Sequence, residues 1–462
     1  MTSNINKRKH QNEEDKTLKT FTFKLGGIHP EENKFSAGAA IERLAPGKEA
    51  YVPVSQHLGV PAKILVSKGD QVKTGQLLAQ GEAFISANIH SPVTGKVKKI
   101  DQYPDQSGYK KTMVIIDVEE VDVWDDGIDP TDTVIREVPA DKSMIIEKIK
   151  EMGVVGLGGA TFPTHVKLMI PDGKRVETLL INGVECEPYL TADHRVMLER
   201  AEEMLIGIKI LMKGLDVQRA VIGIEKNKPD AIAHLAGMVE RFPGIEVAPL
   251  KVKYPQGAEK QLIKAVLNRE VPSGKLPLDV GCVVSNAGTA LAVYEAVQKN
   301  KPLIERVVTV TGKGVKKPCN LMVRIGTPIQ ALIDHAGGLP EEAGKVVSGG
   351  PMMGKALNSL EAPVTKGTSG ILIMQQGETP RKEVANCIRC ARCTVVCPMG
   401  LEPYLLAQQA KLEMWDEAEG DMIMDCIECG SCLFECPSGR PLLDYIRVGK
   451  SKVGHIIRTR KN

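Results

Sequence analysis

Between about residues 130 and 300 the apolar positions alternate between two periods. "SMIIEKIKEMGV" repeats at helical spacing and predicts an amphipathic helix. "VETLLINGVE" is a short apolar run leaving through Asn-Gly, which predicts a strand. "ADHRVMLERAEEMLIGIKILMKGL" predicts one long helix with Asp193 near its start. Strand, helix, strand and helix follow in "RAVIGIE", "DAIAHLAGMVERF", "IEVAPLKV" and "GAEKQLIKAVL". "GCVVSNAGTALAVYEAV" then reads as a strand running into a helix. This alternation predicts a Rossmann-like α/β layout, in which ligands sit beyond the carboxyl ends of the strands.

The flanking regions carry other patterns. Residues 50–118 include "GVPAKILVSKGDQVKTGQLLAQGEAFISANIHSPVTGKVKKI". A strand, V-x-x-G-D-x-V-x-x-G, a second strand and S-P-V-x-G-x-V resemble a biotinyl/lipoyl-type hammerhead, a barrel-sandwich hybrid. The expected hairpin tip, Phe84 to Asn88, has no lysine, so the module is expected to be a β scaffold packed on the central domain rather than a swinging carrier. "RVVTVTG" and "MVRIGTPIQALIDHAGG", between about residues 305 and 375, resemble the β-grasp module called soluble-ligand-binding, expected here to be structural.

The last quarter is marked by cysteine. "CIRCARCTVVCP" contains Cys387, Cys390, Cys393 and Cys397; "CIECGSCLFECP" contains Cys426, Cys429, Cys432 and Cys436. Each run is C-x-x-C-x-x-C-x-x-x-C-P, the two-cluster ferredoxin pattern. Three closely spaced thiolates wrap one face of a cubane, and the fourth points to the other cluster. One 4Fe-4S cluster is therefore assigned to Cys387, Cys390, Cys393 and Cys436, and the second to Cys426, Cys429, Cys432 and Cys397. Structural zinc takes two separated pairs and fits this spacing badly. Helical spacing of Leu401, Leu405, Leu406, Leu412 and Trp415 predicts one or two short helices between the runs, and "RPLLDYIRVGKSKVGHIIRTRKN" predicts a helix ending in a basic tail. Cys186, Cys282 and Cys319 stand outside any ligand spacing and are expected to be buried.

Bulk properties narrow the class. The net charge of +3, with both signs mixed, gives no basic stripe for nucleic acid. No run of about 18 apolar residues predicts a membrane span, and the polar start "MTSNINKRKHQNEEDK" lacks a signal-peptide core. Eleven cysteines then argue for metal in a reducing compartment, and a cytoplasmic chain is expected.

Two clusters move single electrons, so a site where electrons enter or leave is needed. The candidate is "VVGLGGATFPTHVKL", with Gly156, Gly158 and Gly159. It is neither G-x-G-x-x-G, since Thr161 takes the third glycine position, nor a Walker loop. A plain tight turn is the competing reading. "LINGVECEPYLTADHR" adds Asn182 and two acids, Glu185 and Glu187, after a strand end; such acids are suited to ribose hydroxyls or a carboxamide. "YPQGAEKQL" contributes Tyr254, Gly257 and Glu259. "VVSNAGTA" contributes Ser285, Asn286 and Thr289 at a helix start, where phosphate binding competes with ordinary N-capping.

Together these pieces resemble the flavin-bearing subunit of respiratory complex I, with its motifs GRGGAGFPTGLK, NADESEP, YxxGEE and VNNVET. The resemblance implies that Gly156, Gly158, Gly159, Phe162, Lys167, Asn182, Glu185, Glu187, Tyr254, Gly257, Glu259, Asn286 and Thr289 hold FMN and NADH. Leu157, Val184, Ala258 and Ser285 depart from the family motifs. Over nearly its full length, from "KLGGIHP" through both cysteine runs, the chain is more similar still to the RnfC family, the C component of the Rnf complex. That resemblance implies a peripheral subunit on the cytoplasmic face of the cell membrane, with membrane-embedded partner subunits. Electrons would pass between ferredoxin, two 4Fe-4S clusters, FMN and NAD, linked to Na+ or H+ transport. No general acid or base is demanded, and no catalytic residue is assigned. A cobalamin reductase of diol-utilising microcompartments shares the layout, and an iron–sulfur relay without a nucleotide site is the reading from another class.

The expected organisation is a disordered tail at 1–20, the barrel-sandwich hybrid at 21–125, the FMN/NADH domain at 130–300, the β-grasp module at 301–378, the two-cluster domain at 379–445 and the basic tail at 446–462.

Overall fold

The computed structural model describes residues 19–460. All but Lys19 and Thr20 of the expected N-terminal tail, and the last two residues of the basic tail, lie outside them.

Four parallel strands form the central sheet, in the order Ile245–Leu250, Ala220–Glu225, Thr178–Asn182, Cys282–Asn286. The first three run backwards through the sequence and the fourth lies on the other side of Thr178–Asn182. The strand order thus reverses between Thr178–Asn182 and Cys282–Asn286, and the carboxyl edge at such a reversal is where sheets of this kind take their ligands. Leu179, Leu180, Ile181, Ile222 and Ile224 are fully buried, as strands covered on both faces require.

The segment expected as one long helix is two, Ala192–Glu199 and Ala201–Leu215. The break is at Arg200, whose backbone leaves the helical region at φ −123° and ψ 32°. Its guanidinium lies 2.7 Å from Glu203 and 3.5 Å from Glu295. The second helix then packs very closely on the helix Ala287–Lys299, where a side chain at Gly207 would overlap the carbonyl of Ala290.

The N-terminal sandwich stacks an antiparallel sheet (Glu49–Pro53, Lys110–Val118, Gly95–Pro104, Gln71–Val72) on a smaller one (Lys63–Ile64, Leu77–Gln80, Ile89–His90). Val52, Leu78, Val97, Val114 and Ile116 fill the space between. The tip, which carries no lysine, is pinned to the central unit: Asn88 Nδ2 donates to the Glu151 carbonyl at 3.0 Å. Residues before this sandwich pair elsewhere. Phe21 bridges to Leu250, and Ile41–Arg43 adds a parallel strand to Cys319–Arg324.

That second sheet has six strands, with Glu305–Thr311 and Gly370–Gln375 at its middle, and the helix Ile329–His335 packs on it. The C-terminal unit is helical. Two short helices, Pro403–Lys411 and Trp415–Gly420, occupy the spacer between the cysteine runs. Residues 446–460 of the basic segment form no separate tail. They belong to the helix Leu442–Arg460, whose Ile446 and Val453 are buried and whose Arg460 pairs with Glu419 and Asp416.

Candidate flavin and iron–sulfur site

The carboxyl edge of the central sheet gathers the predicted positions. Asn182 and Asn286 end neighbouring strands and stand directly opposite each other. Asn182 Nδ2 donates to the Gly257 carbonyl at 2.7 Å, which ties the "YPQG" turn to this edge. Asn286 caps the helix Ala287–Lys299 by accepting from Thr289 N at 3.2 Å, and donates to Asp193 at 2.6 Å. N-capping is therefore part of what Asn286 does. Thr289 Oγ1 in turn accepts from Leu157 N at 2.8 Å and fixes the glycine segment across the strand reversal.

The glycine segment closes on itself through Gly156 N and the Phe162 carbonyl, 2.9 Å apart. Gly158, Gly159 and Ala160 are exposed at its tip. Gly159 has φ +110°, which favours glycine, and a side chain there would meet nothing within 4 Å. Open space beside bare backbone suits a flat ring system or a phosphate. Lys167 follows on the helix Thr164–Leu168 and donates to the Val284 carbonyl at 3.0 Å, with Glu259 at 3.4 Å.

The two acids are placed differently from expectation. Glu185, at φ +46°, accepts from the amides of Asp193 (2.8 Å) and His194 (3.2 Å) in the first turn of the helix Ala192–Glu199. Glu187 accepts from the amides of Met352 (3.2 Å) and Met353 (2.7 Å). Lys34 Nζ donates to the carbonyls of Glu185, Glu187 and Leu190 and shapes the segment from beneath. Burial governs the charges here. It pushes Glu187 up to about 7, and Asp193 also to about 7 with help from the Glu185 charge. Lys34 is lowered to about 8, by burial first and the Lys228 charge second. His165 is buried and lowered to about 4, again by desolvation first and then by the Lys150 charge. Sequence reasoning missed Lys34, since nothing near "EENKFS" marks it.

The cysteines separate into an inner and an outer group. Cys397, Cys426, Cys429 and Cys432 line one hollow, walled by Leu401, Leu406, Ile427, Leu443 and Ile446. These are the four residues assigned to the second cluster, brought together from both runs. In the other set Cys436 is buried, Cys393 half-buried, and Cys387 and Cys390 exposed, with the bare side chains of Ile388 and Val395 beside them. Among the described residues no three His, Cys, Asp or Glu side chains close on a single ion. Four cysteines around one hollow match the donor set of a 4Fe-4S cluster. Cys282 and Cys319 are buried and Cys186 half-buried; the Cys186 thiol accepts from Gly257 N at 3.3 Å.

Inner cluster hollow and carboxyl edge are in direct contact. Tyr254 OH donates to the Cys429 carbonyl at 2.8 Å. Gln261 Nε2 donates to the Pro398 carbonyl at 3.0 Å, and Lys260 lies 3.8 Å from Asp425. From the N-terminal "KLGGIHP", Gly27 N donates to the Val396 carbonyl at 2.9 Å.

A parallel-sheet carboxyl edge bordered by exposed glycine backbone, docked on a unit with two ferredoxin-type cysteine runs, is the layout of an electron-transfer flavoprotein with iron–sulfur centres. Family models agree unit by unit: the RnfC barrel sandwich hybrid domain over residues 21–121, the Nuo51 FMN-binding domain over 149–295, the SLBB domain over 307–356 and the 4Fe-4S dicluster domain over 379–437. The chain is 46% identical over 439 residues to the C component of the proton-translocating ferredoxin:NAD(+) oxidoreductase complex of Clostridium ljungdahlii, covering 94% of each chain. It is 45% identical to the Na(+)-translocating counterpart of Acetobacterium woodii, over 94% of this chain and 98% of that one. With the C component of the ion-translocating oxidoreductase complex of Rhodobacter capsulatus it shares 41% identity over 84% of this chain and 75% of that one. The chain belongs to the RnfC family, the C components of ion-translocating ferredoxin:NAD(+) oxidoreductase complexes, as its motifs led us to expect.

Proposed function

We propose that the chain is the NAD-reactive flavin and iron–sulfur subunit of an ion-translocating ferredoxin:NAD(+) oxidoreductase. It works with membrane-embedded partner subunits from the cytoplasmic face of the cell membrane. The observation that carries this reading is the contact between the carboxyl edge and the four-cysteine hollow, made through Tyr254 and Cys429. No helix among the described residues is long and apolar enough to cross a membrane, so ion passage falls to partner subunits.

FMN, when bound, exchanges two electrons with a nicotinamide and single electrons with an iron–sulfur cluster. The protein's own residues supply position. Gly156, Gly158, Gly159 and Phe162 form one wall of the site, with Lys167, Asn182, Tyr254, Gly257, Glu259, Asn286 and Thr289 around the edge. Glu185 and Glu187 act by shaping the segment 182–188, because backbone amides already occupy their carboxylates. Tyr254 and Gln261 hold the inner cysteine loop against this edge, so the distance between the two sites is set by packed backbone rather than by a linker. Cys387, Cys390, Cys393 and Cys436, of which Cys387 and Cys390 are exposed, would hold the outer cluster, through which electrons reach partner subunits.

We also assign the units finer folds. Residues 21–125 form the barrel-sandwich hybrid with its N-terminal strap, 130–300 a Rossmann-like domain, 301–378 a β-grasp module and 379–460 the two-cluster domain, its last helix included.

The test uses sealed membrane vesicles containing the whole complex, supplied with reduced ferredoxin and NAD. NADH formation linked to Na+ or H+ movement is expected, and both should stop in vesicles lacking this chain and return when it is added back. NADH formation that persists without the chain would contradict the reading.

A further inference from the structure

Two cations from the six-stranded sheet unit reach into the glycine segment of the central unit. Arg306, on the strand Glu305–Thr311, is buried, with 6% of its surface exposed. It donates to the Leu157 carbonyl at 3.3 Å, to the Val307 carbonyl at 3.3 Å and to the Lys366 carbonyl. Lys366 is 1% exposed, and its Nζ donates to the carbonyls of Gly153 (2.7 Å) and Asn88 (2.8 Å). Neither cation has a carboxylate within hydrogen-bond reach among the described residues; Asp193 acts on Arg306 from further off. Burying an unpaired cation is costly, so carbonyl partners at both are a structural requirement. Desolvation lowers Lys366 to about 7 and Arg306 to about 10.

We propose that Arg306 and Lys366 are positioning residues that clamp the glycine segment at Leu157 and Gly153 and turn the Gly158 N–H outward as a donor to the flavin. The inference rests on the flavin reading above. A trans peptide points its C=O and the next N–H in opposite directions. Leu157 is gripped on both sides, its N–H by Thr289 and its carbonyl by Arg306. Pinning that carbonyl into the interior turns the Gly158 N–H towards the carboxyl edge. Gly158 is exposed, and its N–H has no partner among the described residues. The Arg306 guanidinium then lies behind that peptide, where its positive charge favours electron density on a ligand in front of it, while Lys366 braces the same segment four residues earlier, at Gly153. The soluble-ligand-binding unit is thus part of the flavin site rather than a passive neighbour.

The test compares the full chain, assembled anaerobically, with R306K, R306M and K366M. Four quantities are read: iron content, FMN affinity by fluorescence titration, flavin midpoint potential, and hydrogen exchange of a peptide covering residues 154–163. In R306M we expect native iron content, FMN binding weaker by about tenfold or more, a lowered midpoint and faster exchange. R306K should recover part of each. K366M should speed exchange, since it releases the Gly153 end of the segment. R306M with native iron and unchanged affinity, midpoint and exchange, or K366M with native iron and unchanged exchange, would overturn the proposal. Should R306M fail to incorporate iron, R306K decides by the same readings and K366M by exchange. A native chain that binds no FMN overturns the flavin reading instead, and exchange alone then judges the clamp.

Discussion

Tyr254 OH lies 2.8 Å from the carbonyl oxygen of Cys429, a residue 175 positions later in the chain. The phenol is buried and held well above its usual pKa, chiefly by desolvation, so it stays a proton donor at any ordinary pH. The bond joins the turn of the central unit to the loop of the inner cluster.

Tyr254→Phe should therefore act between the two sites rather than within either. The Cys429 carbonyl loses a buried partner, at a cost of about 1–3 kcal/mol in stability. In stopped-flow absorbance the reduction of flavin by NADH should stay near the native rate, while the following reduction of the clusters slows. Equal slowing of both phases would show that Tyr254 acts on nucleotide binding instead.

Cys397→Ser should remove one cluster and spare the other. Its thiol lines the hollow with Cys426, Cys429 and Cys432, although it belongs to the first run in sequence. Iron should fall from about eight to about four per chain. Electron paramagnetic resonance should lose the signal of the inner cluster alone. The same exchange at Cys436 should remove the outer cluster.

The fold was legible in the sequence wherever its determinants are contiguous. The cysteine runs announce a dicluster domain, and the central strands and helices follow from short-range periodicity. The break at Arg200 was not legible, because "HRVMLERAEEM" keeps helical spacing across it and tertiary pairing with Glu295 helps to hold the kink. The roles of Glu185 and Glu187 were hidden for the same reason. Their partners are backbone amides eight and more than 160 residues away. Arg306 left a trace that could have been used: a charged pair, Glu305-Arg306, opening the otherwise uncharged strand "ERVVTVT". Lys34 and Lys366 left none.

Gly26→Ala should loosen the cluster unit from the central one. Gly26 has φ +64°, and a side chain there would overlap the carbonyl of Cys397, which is backbone and cannot rotate away. We expect a stability loss of about 2 kcal/mol or more. Iron of the inner cluster should be lost faster to a chelator, as read by the decay of its visible absorbance. Native decay rates would show that the "KLGGIHP" strap is not what protects it.

The pH dependence of stability should carry a contribution from Glu187. Its carboxyl titrates at about 7 in the folded chain, against about 4.3 for an unperturbed glutamate. The folded state therefore holds a proton that the unfolded state has already released. That stabilises the fold below the unfolded value, and the benefit declines as pH rises from about 4.3 to about 7. Thermal midpoints should show a downward component over that window, and Glu187→Gln should flatten it. An unchanged slope in the variant would mean that the Met352 and Met353 amides hold Glu187 ionised throughout.

The most direct measurement is cofactor analysis of the full chain purified without oxygen, followed by titration with NADH. About eight iron with matching sulfide and one FMN per chain are expected, with NADH bleaching flavin and clusters together. A chain that carries its iron but no flavin, and takes up none when FMN is added, would contradict the flavin reading: the glycine segment would then be a turn and the protein a one-electron relay.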